Sequence, residues 1–352
     1  MSAPKKWGCV SKIETVAPGA VSAPARIPSL RTELPFAGAV AAALALVVAA
    51  SSGDTFLLNM LAFTFLYAGF ATAWNIIGGF GGQFSLAHGV FMAIGAYVSA
   101  NLFLRYQISP WIALVPSILL AAGAAALISW PAFRLRGPFF AIATMAFNEV
   151  VLVVVNYSET FTGGPRGLTV PFRPGLQNMI FRDRMSYAVL MLGFFLVCLL
   201  VSLAVLRSRL GYYLQAVRDN EGAARAAGID VLRTKILGMA ISAGLTGAGG
   251  TLFAMYLRIV DPPTMLTLQE VGVKFALIVL IGGAGTTYGP LLGALLVVPL
   301  EGWLRAHLST LAPGAHLIVL GAVLVLAAMF LRRGIVGALR DAAAFWRRRS
   351  AP

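Results

Sequence analysis

The stretch RSRLGYYLQAVRDNEGAARAAGIDVLRTK, Arg207 to Lys235, decides how the rest of the chain is read. It gathers six basic and three acidic residues between two long apolar runs, as a loop outside a bilayer would. Its own signals predict a short helix. Asp219 or Asn220 caps the N-terminus, Glu221 stands in the first turn at the positive end of the helix dipole, and Arg225 stands in the last turn. Gly228 supplies the left-handed residue beyond the end. Glu221 and Arg225 also form an i,i+4 pair in the favourable order. A helix of about two turns is marginal alone in water. Ala223, Ala224, Ala226 and Ala227 are small enough for close approach by another molecule. The segment reads as a docking helix.

Around it, 59% of the 352 residues are hydrophobic, 11% are charged, and the mean hydropathy is +0.84. That balance excludes an ordinary soluble domain. Cys9 and Cys198 offer neither a disulfide framework nor metal-ligand spacing. The formal net charge of +14 sits at alternate ends of apolar runs. No basic stripe is interleaved with aromatics, so nucleic acid is not expected as a partner.

Segments long enough to cross ~30 Å of hydrocarbon fall at about 36–52, 55–77, 84–104, 111–131, 138–156, 186–206, 236–257, 268–283, 289–306 and 315–331. The expected fold is therefore an all-α polytopic membrane protein of about ten transmembrane helices. With both termini cytoplasmic, the inner side carries nineteen Lys and Arg residues against seven outside, the positive-inside asymmetry. Residues 1–34 read as a disordered cytoplasmic tail, 35–331 as the membrane domain, and 332–352 as a basic cytoplasmic tail. The first apolar run ends in AASSG, faintly like a signal cleavage site. The region before it is too long for a signal n-region, so a retained span is expected. This orientation makes 207–235 a cytoplasmic loop and 157–185 a periplasmic one. The latter holds TGGPRGL (Thr162 to Leu168), which enforces a turn, either sealing the outer face or forming a docking surface there.

Two apolar segments are broken alike: IIGGFGGQFSLAHG (Ile76 to Gly89) and LIGGAGTTYGPLLG (Leu280 to Gly293). Paired breaks point to a substrate path, because interrupted helices turn backbone polar groups toward a cavity. The alternative is tight turns and close helix packing, for which Gly285, Gly289 and Gly293 form a small-residue series. Candidate path-lining residues are Gln83, Ser85, His88, Asn148 and Glu149, with His88 equally well read as a packing residue. Glu270 and Lys274 are expected to neutralise each other as an i,i+4 pair, and Glu301 to snorkel from a helix end. No phosphate-binding loop, HExxH, nucleophile elbow or Cys/His cluster is present. No catalytic residue, metal or cofactor is assigned to the chain, and energy for uphill movement would come from another subunit.

GGFGGQFSLAHGVFMAIGAY, the acidic span followed by TGGPRGL, RDNEGAARAAGIDVLRTKILGMAISAGLTGAGGTLFA and KFALIVLIGGAGTTYGPLLGALLVVPLE together resemble the LivM-type permeases, subunits of ABC importers for branched-chain amino acids. The resemblance covers roughly residues 55–331. It implies a bacterial inner-membrane protein paired with a LivH-like permease, two cytoplasmic ATPase subunits that bind ATP and Mg, and a periplasmic amino-acid-binding protein. It also implies that the loop is the coupling segment seated on the ATPase. Ala223, Ala224 and Gly228 match the family's A-A-x-x-x-G, with Arg218, Asp219, Asn220, Glu221 and Arg225 beside them. Gly222 stands where many importers have Glu, and the usual Leu-Pro ending is absent. Urea and amide importers have similar permeases, and an ion-coupled secondary transporter is the alternative of a different class.

Overall fold

The computed structural model describes residues 30–135, 137–308, 318–319, 321–322 and 334–339, with the backbone alone for 30–34, 36, 269 and 270. The chain divides into two units, Met1–Ala39 and Val40–Pro352. Residues 1–29, most of the tenth expected span and most of the basic tail lie outside the described residues.

The longer helices are α1 (Leu30–Ala50), α2 (Thr55–Asn75), α3 (His88–Tyr106), α4 (Pro110–Ala132) and α5 (Pro138–Tyr157). After a short α6 (Glu159–Thr162) come α7 (Arg184–Arg207), α8 (Arg209–Asp219), α9 (Glu221–Ala226) and α10 (Val231–Leu257). Then come α11 (Pro262–Leu266), α12 (Lys274–Gly282) and α13 (Gly289–Leu308), and residues 334–339 are helical as well. Carboxylates at Asp54, Asp183, Asp230 and Asp261 accept backbone N–H groups at the starts of α2, α7, α10 and α11.

Among the described residues, seven helical runs are long and apolar enough to cross a membrane: 55–80, α4, α5, α7, α10, 262–282 and α13. The chain is a mostly helical, multi-pass membrane protein. The helix at the span expected at 84–104, α3, begins later, at His88, because Gly81–Ala87 is not helical, and neither it nor α1, at the span expected at 36–52, is among those seven. The span expected at 268–283 is α12 preceded by a π-helical turn, Gln269–Val273.

α10 is the hub and packs on α2, α3 and α4, while α2 also packs on α7, α12 and α13. Missing side chains permit this approach. A Cβ on Gly95 would lie 1.9 Å from the Gly247 carbonyl oxygen, and one on Gly250 would lie 2.1 Å from that of Met92.

One small sheet departs from the all-helical expectation. Leu168–Thr169 pairs antiparallel with Ile259–Val260, tying the 157–185 loop to the end of α10. Gly163, Gly164 and Gly167, all of the TGGPRGL turn, have positive φ.

Gly95→Val forces a branched side chain into the α3–α10 backbone contact, and a loss of about 1–3 kcal/mol or more is expected. Gly193 on α7 is exposed with open space around it, so Gly193→Ala should be near neutral. Thermal unfolding of the two purified variants checks the contrast.

Candidate functional site: a projecting helix pair on a double helix break

The charged loop folds as two helices, α8 and α9. Ser208 caps α8 with Oγ accepting from Gly211 N, and Leu214 and Val217 turn inward at i,i+3 spacing. The sequence reading missed α8, although that apolar pair signals it. The cap of α9 is Asn220, not Asp219, whose carboxylate pairs with Arg218 instead: Asn220 Oδ1 accepts from Ala223 N at 3.0 Å. Gly228 has φ +85°, the left-handed conformation expected past a helix end.

The expected Glu221–Arg225 pair gives way to a longer connection. Lys235, 2% exposed, donates to Glu221, and its ammonium lies 5.6 Å from the centre of the Phe133 ring. A buried ammonium without a carboxylate would be strongly destabilised, so Glu221 is drawn across to the first turns of α10 and the pair ties α9 to that helix. Ala224 also turns inward, packing with Val217 and Val231. Gly222, Ala223, Arg225, Ala226 and Ala227 remain exposed. Gly137, Asn220, Glu221, Gly222 and Arg225 line a hollow of about 340 Å³ beside α9.

The two glycine breaks meet under α8. α2 runs into a π-helical turn, Ile76–Phe80, and then into the non-helical segment Gly81–Ala87. α12 ends at Gly282, and Gly283 and Gly285 take positive φ before α13. Asn75, fully buried on α2, joins the two: its Oδ1 accepts from Gly285 N at 2.9 Å and its Nδ2 donates to Thr286 O at 3.0 Å. A Cβ on Gly79 would lie 2.5 Å from Gly285 N. Arg218 Nη1 donates to the Gly79 carbonyl at 3.2 Å, and its stem lies against Gly82. Leu214 fills the notch between Gly81 and Gly238. Within the protein, two groups of the freed backbone of 81–87 find partners: Trp74 Nε1 donates to Ser85 O at 2.8 Å, and Leu86 N donates to Thr144 Oγ1 at 3.1 Å. The second break is a tight turn as well, since a Cβ on Gly282 would lie 1.8 Å from the Gly289 carbonyl oxygen. Asn75 went unnoticed in the sequence because its partners lie 210 and 211 residues away.

The residues singled out as path-lining do not share one wall. Gln83 is half-buried and donates to Gly81 O, while Ser85 is buried beside the Trp74 contact. Ser242 Oγ donates to Ala73 O at 2.6 Å and so must accept from His88 Nε2 at 2.8 Å, which makes Nε2 the protonated nitrogen. His88 thus ties α3 to α10, and through Ser242 to α2. Asn148 is buried and donates to Leu266 O at 2.6 Å. Glu149, one residue on and about 100° round the helix, is exposed.

One further expectation changes. Lys274 Nζ lies 2.7 Å from Glu301 Oε2, and Arg305 Nη2 lies 2.9 Å from Glu301 Oε1. Glu301 is therefore a buried ion-pair partner instead of a snorkelling end residue; the side chain of Glu270 lies outside the described residues.

Residues 56–328 match the family described as "Branched-chain amino acid transport system / permease component". The chain is 32% identical over 258 residues to the high-affinity branched-chain amino acid transport system permease protein LivM of Escherichia coli K12, covering 67% of this chain and 60% of the relative. It is 24% identical over 287 residues to LivH of Salmonella typhimurium, covering 77% and 91%. A tyrosine transport system permease of Clostridioides difficile is 37% identical over 82 residues, 23% of this chain and 28% of the relative. The match spans less than two thirds of the length of the LivM relatives, and no solved structure matches the chain. Carried by a match over most of its length, this chain belongs to the branched-chain amino acid transport permease family.

Proposed function

We propose that the chain is the permease subunit of an ABC importer that carries branched-chain amino acids across the bacterial inner membrane. ATP and Mg bind to partner ATPase subunits, and a periplasmic binding protein delivers the solute. The chain itself performs no chemistry. The observation that carries this reading is the seat of α8–α9: an exposed helix pair whose Arg218 reaches the junction of both helix breaks and whose Glu221 holds the start of α10 through Lys235. A partner seated on Gly222, Ala223, Arg225 and Ala226, with the hollow beside α9 receiving its side chains, would move the breaks by moving α8. This orientation puts both termini and α8–α9 in the cytoplasm.

The companion permease is assigned to α5. Glu149 is exposed there among Ile142, Met145, Val150 and Val153. A carboxylate facing lipid near mid-bilayer costs about 2.5–3.5 kcal/mol or more, so a polar or cationic group of a LivH-like subunit is its fitting neighbour.

Glu221→Arg sets two cations against each other and should release the ATPase subunits on co-purification; adding Lys235→Glu should restore them. Unchanged association in the single variant would remove α9 from the mechanism. Arg218→Ala should leave ATP hydrolysis in place while amino-acid uptake falls roughly tenfold or more, read in proteoliposomes of the assembled transporter. For α5, Glu149→Leu should lower recovery of the companion permease; improved recovery would mean that this face meets lipid.

A further inference from the structure

At the end of the bundle away from α8 lies a cavity of about 400 Å³, within the ~300–1,000 Å³ usual for small-molecule sites. Its position follows from the helix that forms one wall. Asn59 and Met60 line it, whereas Asn75, about 24 Å further along α2 at 1.5 Å per residue, sits under Arg218. Phe56 and Arg305, both lining it, are exposed, so the cavity reaches the surface.

One wall is charged. Glu301, buried, uses one oxygen on Lys274 and the other on Arg305, so both signs of charge line the cavity. The Lys274 ammonium also lies 4.2 Å from the centre of the Tyr67 ring. The apolar part of the lining is Met60, Phe63, Phe253, Leu257 and Val298. Replacing a buried ion pair by apolar side chains is often neutral or stabilising. Lys274 and Glu301 are therefore poorly explained by stability alone, and ionisable groups within a membrane domain by default mark a functional site.

We propose that this cavity is a transient binding site for a zwitterionic α-amino acid with an apolar side chain. The ligand carboxylate is taken by Lys274 and Arg305, its ammonium by Glu301, and its side chain packs between Phe63, Leu257 and Val298. The inference rests on the importer reading and narrows it, since urea and simple amides carry no charge to match this wall. A zwitterionic lipid headgroup has the same charges, so the test must separate the two sources. Thr264 of α11 is also on the wall, two residues before the Leu266 carbonyl held by Asn148. This places Asn148 one short helix away from the proposed site.

Gly302 gives direct access. It lines the cavity, and no described atom lies within 4 Å of a Cβ placed there, so Gly302→Cys adds a thiol without displacing a neighbour. The assembled transporter carrying this variant, with wild type treated in parallel to account for Cys9 and Cys198, is modified in nanodiscs by a charged methanethiosulfonate, with and without leucine. It is then reconstituted for ATP-driven leucine uptake. Modification is expected to cut uptake roughly tenfold or more with ATP hydrolysis retained, and leucine is expected to slow the modification. Met60→Cys repeats the measurement from the facing helix should the first variant fail to assemble. Uptake that survives modification, or a reaction rate indifferent to leucine, as for a lipid-filled or inert cavity, overturns the proposal. Wild type that imports leucine in the same assay isolates that failure to the site; wild type that does not import leucine refutes the importer reading itself.

Discussion

Backbone polar groups freed inside a membrane must be bonded by the protein, because lipid offers no partner. This chain frees two sets at once, by ending α2 in a π-helical turn and by breaking the chain between α12 and α13. One side chain at the first break, that of Asn75, bonds the freed backbone of the second. The Asn75 amide uses its oxygen on Gly285 and its nitrogen on Thr286, and the remaining Gly79 carbonyl takes Arg218. Glycine is required at the contact, since a Cβ on Gly79 would collide with both Gly285 N and the Asn75 side chain. Two segments more than 200 residues apart are thereby held as a single unit.

The functional consequence comes from what touches that unit. α8 sits on it through Leu214 and Arg218, and α9 is fixed to the start of α10 by a charge pair whose ammonium is buried. α10 in turn is the hub of the packed helices, approached by α3 so closely that backbone meets backbone. A small number of rigid contacts therefore runs from an exposed helix pair to the centre of the bundle. Rigid elements with discrete packed contacts are what carry displacement across a protein. The ionic cavity lies at the other end of α2, whose length joins it to the same junction.

How far the sequence could be read follows from the range of each interaction. The cap of α9, its glycine stop and the breaks at 78–82 and 282–285 are local, and composition shows them. That the breaks meet is not local. Neither is the Lys274–Glu301 pair, whose members lie on different helices, whereas periodicity shows only pairs within one helix, such as Glu270 with Lys274. The two-residue strands at 168–169 and 259–260 are too short for any alternation to register. Other features were legible and passed over. Leu214 and Val217 mark the inner face of α8. Asn148 and Glu149, about 100° apart on a helix at 3.6 residues per turn, could not both face the same lining.

The central claim is that the two breaks and the exposed helix pair α8–α9 move as one. Hydrogen–deuterium exchange in the assembled transporter, with and without a non-hydrolysable ATP analogue, measures it most directly. The account expects the peptides covering 76–87 and 282–288 to change together with those covering 209–228. A change confined to 209–228, with both breaks unaltered, would contradict it.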